Sequence, residues 1–118
     1  MNRKTREDIA EKIARIAARH GAIAVDIDEN GKSAMVTVTF EHVSCSMDID
    51  SLHKGGILCS FYGASKPLRP VPSFDSINTC HYHKATLYRA TAHAFLSAFE
   101  QACAAISDGS AFGEDNAQ

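Results

Sequence analysis

The residues best equipped for chemistry crowd into one stretch of this 118-residue chain, "CSFYGASKPLRPVPSFDSINTCHYHKAT", residues 59–86. Cys80, His81 and His83, with the more distant Cys45, Cys59, His42 and His53, supply enough sulfur and imidazole donors for zinc. Structural zinc is usually gripped by two close pairs of ligands, and this sequence has a single short cluster. In an extended segment His81 and His83 would also share a face that Cys80 does not. Cys80, His81 and His83 therefore stand as the candidate metal ligands, against an expectation of surface histidines, core cysteines and no metal. A catalytic thiol at Cys59 or Cys80 would need a base within hydrogen-bond reach and a group orienting that base, and no local signature supplies either. Asp26 and Asp28 stand one strand repeat apart, a spacing that suits paired carboxylates but is far more often a solvated sheet surface. "HKGG" lacks the spacing of a phosphate-cradling loop. No catalytic residue and no cofactor are expected.

The same stretch is better equipped for binding. Lys66, Arg69, Lys84 and Arg89 stand against Asp75 alone between residues 66 and 89, and Tyr62, Phe74, Tyr82 and Tyr88 are interleaved with them. Cations among aromatics suit phosphate contact and base stacking, and also suit protein hot spots, where exposed aromatics and arginines dominate. Tyr62, Lys66, Arg69, Tyr82, His83, Lys84 and Arg89 are the candidate binding residues, with Phe61 as the alternative to Tyr62. "KPLRPVP" holds a P-x-x-P element, but it lies between two strand-like runs, where proline mainly lowers the entropy cost of ordering a loop. Against nucleic acid stands a formal charge of −2 and a sequence pI near 6.3, unlike a typical basic binding domain. Residues 1–20 form a second basic patch of +3, from six cations against Glu7, Asp8 and Glu11.

These residues have to be positioned by elements that the periodicity lays out. Thr5 and Asp8 approximate a capping box, and Ile9, Ile13 and Ile16 recur at helical spacing, predicting a helix over residues 6–20 that Gly21 stops. "IAVDIDENGKSAMVTVTF" reads as two alternating runs around Asn30-Gly31, the preferred pair for a two-residue hairpin. That turn would set Glu29 opposite Lys32 and pair Ile27 with Ala34, Val25 with Val36 and Ile23 with Val38 on one apolar face. Asp26, Asp28, Met35, Thr37 and Thr39 would then form a solvated or partner-facing surface. The apolar parity changes after Phe40, which calls for a bulge or a break between strands near Glu41-His42. "DSLHKGG" predicts a turn, "ILCSFYG" a strand, residues 63–80 a long loop, and residues 81–89 a strand in preference to a helix start. Thr91 is a good N-cap for a second helix over 92–107, striped by Phe95, Leu96, Phe99, Ala102, Cys103 and Ile106 and stopped at Gly109.

The expected architecture is α+β: two helices on one face of a three- or four-stranded, mainly antiparallel sheet, in the order α-β-β-β-(β)-α, with the other face open. Residues 1–109 would form one domain and 110–118 a flexible acidic tail. The helix-strands-helix order resembles the double-stranded RNA-binding domain, but that family opens its second helix with a lysine-rich stretch and "TAHAFLSAFEQ" carries no lysine. An open face or an unpaired edge also offers a surface for a homodimer.

With 45% hydrophobic and 22% charged residues, the composition is that of an ordinary soluble protein. No run approaches the roughly 20 apolar residues that span a bilayer, and "MNRKTREDIAEK" lacks the apolar centre of a secretory signal. The expected compartment is the cytoplasm of a bacterial host cell, with no membrane partner and four free thiols. The segments "ILCSFYGA", "LRPVPSFDSIN" and "AISDGSAF" resemble small uncharacterised accessory proteins of phages and other bacterial mobile elements, over residues 57–113. That resemblance implies a non-enzymatic binding protein, such as an anti-CRISPR-like inhibitor of a host complex, and carries over no functional residue; the expected working surface is the open sheet face together with the 62–89 region. A protein partner is expected first, and a nucleic-acid-binding regulator using the 62–89 surface is the alternative.

Overall fold

The computed structural model describes residues 1–51, 55–69, 79–81, 84–89 and 91–113, with the backbone alone described at 79–81, 84, 88 and 89. The first helix, α1, runs Arg3–Arg19 and is capped by Asn2, whose side-chain oxygen accepts the Thr5 N–H at 2.8 Å. It therefore starts three residues before the predicted position. Asn2 caps as well as a threonine would, and Thr5 lies already inside the first turn. Gly21 follows the helix at φ +89°, where only glycine is unstrained. The second helix, α2, runs Ala92–Asp108 with the Thr91 hydroxyl accepting the Ala94 N–H and Gly109 in the left-handed region, as the capping residues predict.

Between the helices lie β1 (Ala24–Glu29), β2 (Ala34–Thr39), β3 (Ser44–Ile49), β4 (Ile57–Tyr62), β5 (Thr79–His81) and β6 (Lys84–Arg89). They form one sheet in the order β1-β2-β3-β4-β6-β5, every neighbouring pair antiparallel. The sheet exceeds the three or four strands expected. The parity change after Phe40 is a tight turn, closed by the Phe40 N–H donating to the Val43 carbonyl, and it makes β3 a separate strand. The last residues of the predicted 63–80 loop form the short β5. The 81–89 run is strand at its described residues.

The β1–β2 hairpin is offset from its predicted register by two residues. Glu29 pairs with Ala34, Ile27 with Val36 and Val25 with Val38. The loop is four residues long, closed by the Asn30 N–H donating to the Ser33 carbonyl, while the Asn30 side chain accepts the Lys32 and Ser33 N–H groups. An asparagine able to satisfy two amides stabilises the longer loop. Because the offset is even, every residue keeps its predicted face.

The core lies between the helices and one sheet face. Ile9, Ile13 and Ile16 of α1 and Phe95, Phe99, Ala102 and Cys103 of α2 meet Val36, Val38, Cys45, Met47, Ile49, Ile57, Cys59, Phe61 and Leu87. The Phe95 and Phe99 rings stack at 5.6 Å. Cys45, Cys59 and Cys103 are free and buried. Burial pushes the Cys59 and Cys103 thiols well above the ordinary cysteine range. Two expectations need correction. Ile23 and Ile27 are 68% and 43% exposed, because β1 is an edge strand. Residues 110–113 are no tail: Ala111 and Phe112 are buried, Phe112 bridges Leu68, and the Gly113 N–H donates to the Pro67 carbonyl. Residues 114–118 lie outside the described residues.

Arg6 continues the Ile9–Ile13–Ile16 stripe and is 3% exposed. Its Nε donates to Glu29 at 3.0 Å, its two terminal nitrogens to the Met1 and Gly31 carbonyls, and one of them lies 3.5 Å from Asp50. Asp50, at φ +67°, also holds the Met1 amine at 3.1 Å and accepts the Gly55 N–H. This charged knot ties the start of α1 to the β1–β2 loop and the β3–β4 turn.

Candidate functional site

Alternation assigns the second residue of each strand repeat to the face the helices leave uncovered. Across β1, β2, β3, β4, β6 and β5 the registers align Asp26, Thr37, Ser46, Ser60, Thr86 and Thr79 in one row. The described side chains of Thr37, Ser46, Ser60 and Thr86 are half-buried. On one side of this hydroxyl row lie Asp28, Met35, Asp48 and Leu58, and on the other Thr39, Ser44 and Tyr62. Met35 and Tyr62 are 39% and 40% exposed, the large apolar side chains that protrude from this face. Serine and threonine hydroxyls both donate and accept, so a row of them can match polar groups on an opposing surface.

The predicted binding residues do not all share this face. Tyr62 does, whereas Phe61, its sequence alternative, is buried on the helix side. The chain leaves β4 through Gly63 at φ +66° and folds back over the opposite layer. There the Ser65 N–H donates to the His42 carbonyl, Lys66 is half-buried, and the Arg69 N–H donates to the Ala111 carbonyl. Arg69 borders a cavity of about 10 Å³ between Phe61, Leu68, Ala85, Ala102 and Ile106. That is about the space one water needs and too little for a substrate. Lys84 and Arg89 belong to β6 by backbone; Tyr82 and His83 lie outside the described residues. Cys80 and His81 are consecutive in β5, and His83 is not described, so the candidate metal cluster lies largely outside the described side chains. Among the described residues no group of three His, Cys, Asp or Glu side chains converges as metal ligands would.

Sequence reasoning missed two histidine arrangements. His42 Nδ1 lies 3.0 Å from the Ser65 hydroxyl and Nε2 lies 3.1 Å from Glu41. This has the outline of a serine–histidine–carboxylate relay, yet Glu41 is 77% and His42 42% exposed. Water competes for both partners there, so little orients the imidazole as a base. His20 Nε2 sits 2.6 Å from Glu100, which also accepts from Arg19 at 2.7 Å. The His20 hydrogen bond, outweighing burial and helped by Arg19, holds the Glu100 carboxyl below its usual range. This cluster joins the end of α1 to α2. An open cleft of about 230 Å³ lined by His20, Phe40, His42, Ile106 and Phe112 separates the two arrangements. No signal in the local sequence links residues 20, 42, 65 and 100.

No helix among the described residues is long and apolar enough to cross a membrane. No family model, curated protein or solved structure matches the chain.

Proposed function

We propose that the chain is a non-enzymatic binding protein whose working surface is the uncovered sheet face, and that a folded protein occupies it. The observation carrying this reading is the hydroxyl row running across the sheet between the protruding Met35 and Tyr62. The face combines polar groups that can pair with apolar groups that can be buried, the make-up of a protein interface. By alternation the face carries Asp26, Asp28 and Asp48 against Lys84 of β6, so carboxylates outnumber cations on it and repel phosphate, which disfavours the nucleic-acid alternative. Blocking a host complex, the role implied by the resemblance to phage and mobile-element accessory proteins, needs only such a surface. The same holds for the anti-CRISPR-like form of that role.

A photo-crosslinking residue placed at Ser60 tests the reading, with one at the exposed Arg15 of α1 as the control. In lysate of the native host, the Ser60 probe should give one dominant protein adduct that survives nuclease and disappears when Tyr62→Asp is added. Equal adducts from both positions, or loss of the adduct on nuclease treatment, would refute a protein-binding face.

A further inference from the structure

The β1 edge offers a second surface, which shares Asp26 and Asp28 with the open face but works through backbone groups instead of the hydroxyl row, and it does not rest on that reading. β1 ends the sheet, so every second N–H and C=O along it points away from β2 without a strand partner among the described residues. Natural edge strands are usually blunted by lysine, proline or a bulge. β1 has no lysine, proline or bulge, and its six-residue register with β2 is unbroken; its charges are the acids Asp26, Asp28 and Glu29, which repel an acidic strand and admit a basic one. Ile23 and Ile27 are exposed along it, so apolar area is available beside the hydrogen-bonding groups. α1 does not cover this edge. Between them lies an open groove of about 590 Å³, lined by Lys4, Glu7, Asp8, Glu11, Ile27 and Glu29.

The charges select what can enter. Glu29 is committed to Arg6, and Glu7 to Arg3 at 3.4 Å. Asp8 and Glu11 on the helix wall, and Asp26 and Asp28 on the outer side of the strand, make no ion pair among the described residues. Lys4 is the single cation lining the groove among the described residues. A second copy of this chain fits poorly: pairing β1 antiparallel with itself about Asp26, Ile27 or Asp28 sets at least one carboxylate opposite another. The complement is an extended segment with apolar residues towards α1 and cations outward. We propose that the β1 edge accepts such a segment, an alternating basic–apolar strand of a partner protein, by extending the sheet.

The probe is a fluorescein-labelled hexapeptide alternating lysine and valine, titrated by anisotropy at low salt. Binding should be at least about tenfold tighter than for the glutamate–valine counterpart, and Asp26→Asn with Asp28→Asn should weaken it about tenfold without moving the thermal unfolding. A strand pairs through alternate amides only. N-methylating one alternate set should therefore abolish binding while methylating the other leaves it within about twofold. Amide shift changes should be confined to β1 and the first half of α1. Equal binding of both methylated peptides, absence of binding by the lysine peptide, or shift changes centred elsewhere would overturn the proposal. So would a peptide-free dimer that Ile27→Lys dissociates, since a second copy would then hold the edge.

Discussion

Arg6→Met probes the buried charged knot most directly. The guanidinium directs hydrogen bonds to Glu29, the Met1 carbonyl and the Gly31 carbonyl, and faces Asp50. Hydrogen bonds to a charged group are worth about 1.5–3 kcal/mol each, but the desolvation of a buried arginine offsets several kcal/mol of that sum. The variant loses something different: it leaves two carbonyls and two carboxylates without their donor. Breaking a buried ion pair by removing one partner costs about 3–5 kcal/mol. Arg3 still reaches Glu29 at 3.3 Å and the amine of Met1 still reaches Asp50 at 3.1 Å. The loss should therefore fall at the low end, about 3 kcal/mol, or roughly 12 °C in Tm for a domain of this size.

The pH dependence separates this cause from simple loss of packing. Burial acts to raise the Glu29 carboxyl, but the Arg6 hydrogen bond, the Gly31 N–H and the charges of Arg3 and Arg6 together carry it below its ordinary range. Asp50 is lowered first by the Gly55 N–H, against burial, and then by the Met1 amine and Arg6. A carboxyl depressed in the folded state stabilises it above the unfolded pKa, and that contribution disappears as pH falls through the folded value. The Arg6→Met deficit should accordingly be full near pH 7 and shrink below about pH 4. Urea unfolding followed by circular dichroism across that range measures it. Arg6→Lys, which keeps the charge but not the planar fork, should fall between wild type and Arg6→Met. A deficit under about 0.5 kcal/mol at neutral pH, or one that does not change with acidification, would refute the electrostatic account.

Four further outcomes are expected. Phe112→Ala should cost about 2 kcal/mol in chemical denaturation, below the figure for a fully enclosed phenylalanine because the ring sits at the rim beside His42. Deleting residues 110–118 should cost at least as much, and an unchanged Tm after deletion would restore the flexible-tail expectation. Glu100→Gln should lower Tm by about 1–3 °C at neutral pH, with the difference fading as acid protonates the carboxyl in the wild type; a constant difference down to about pH 3 would contradict the ion-pair origin. Cys45, Cys59 and Cys103 should resist a thiol reagent until denaturant is added, with the sites identified by mass spectrometry. Labelling of any of the three in the native protein at the rate of a free thiol would contradict their burial.

What could be read from the sequence follows from how far along the chain each signal reaches. Helix stripes, caps and strand alternation are properties of neighbours within a few residues, so α1, α2, the hairpin and the strand character of 84–89 were legible. Register depends on the size of a turn, and Asn30-Gly31 suits a two-residue turn as readily as the four-residue one that Asn30 and Ser33 close. Parity survived that error; the identity of cross-strand neighbours did not. Arg6 was visible as the single cation on an isoleucine stripe, but its partners Glu29, at the end of β1, and Asp50, in the turn after β3, are brought together only by the folded sheet. The candidate surface shows the difference most sharply. Tyr62 and Arg69 are seven positions apart, yet the turn through Gly63 sends them to opposite sides of the sheet. Thr37, Ser46, Ser60 and Thr86 span half the chain, yet three successive registers set them side by side. Closeness in sequence made the 62–89 stretch look like one patch, whereas an interaction surface on an antiparallel sheet is assembled by parity and register. That is why, of the two surfaces the sequence suggested, the proposed function rests on the uncovered strands in preference to the proline-rich loop.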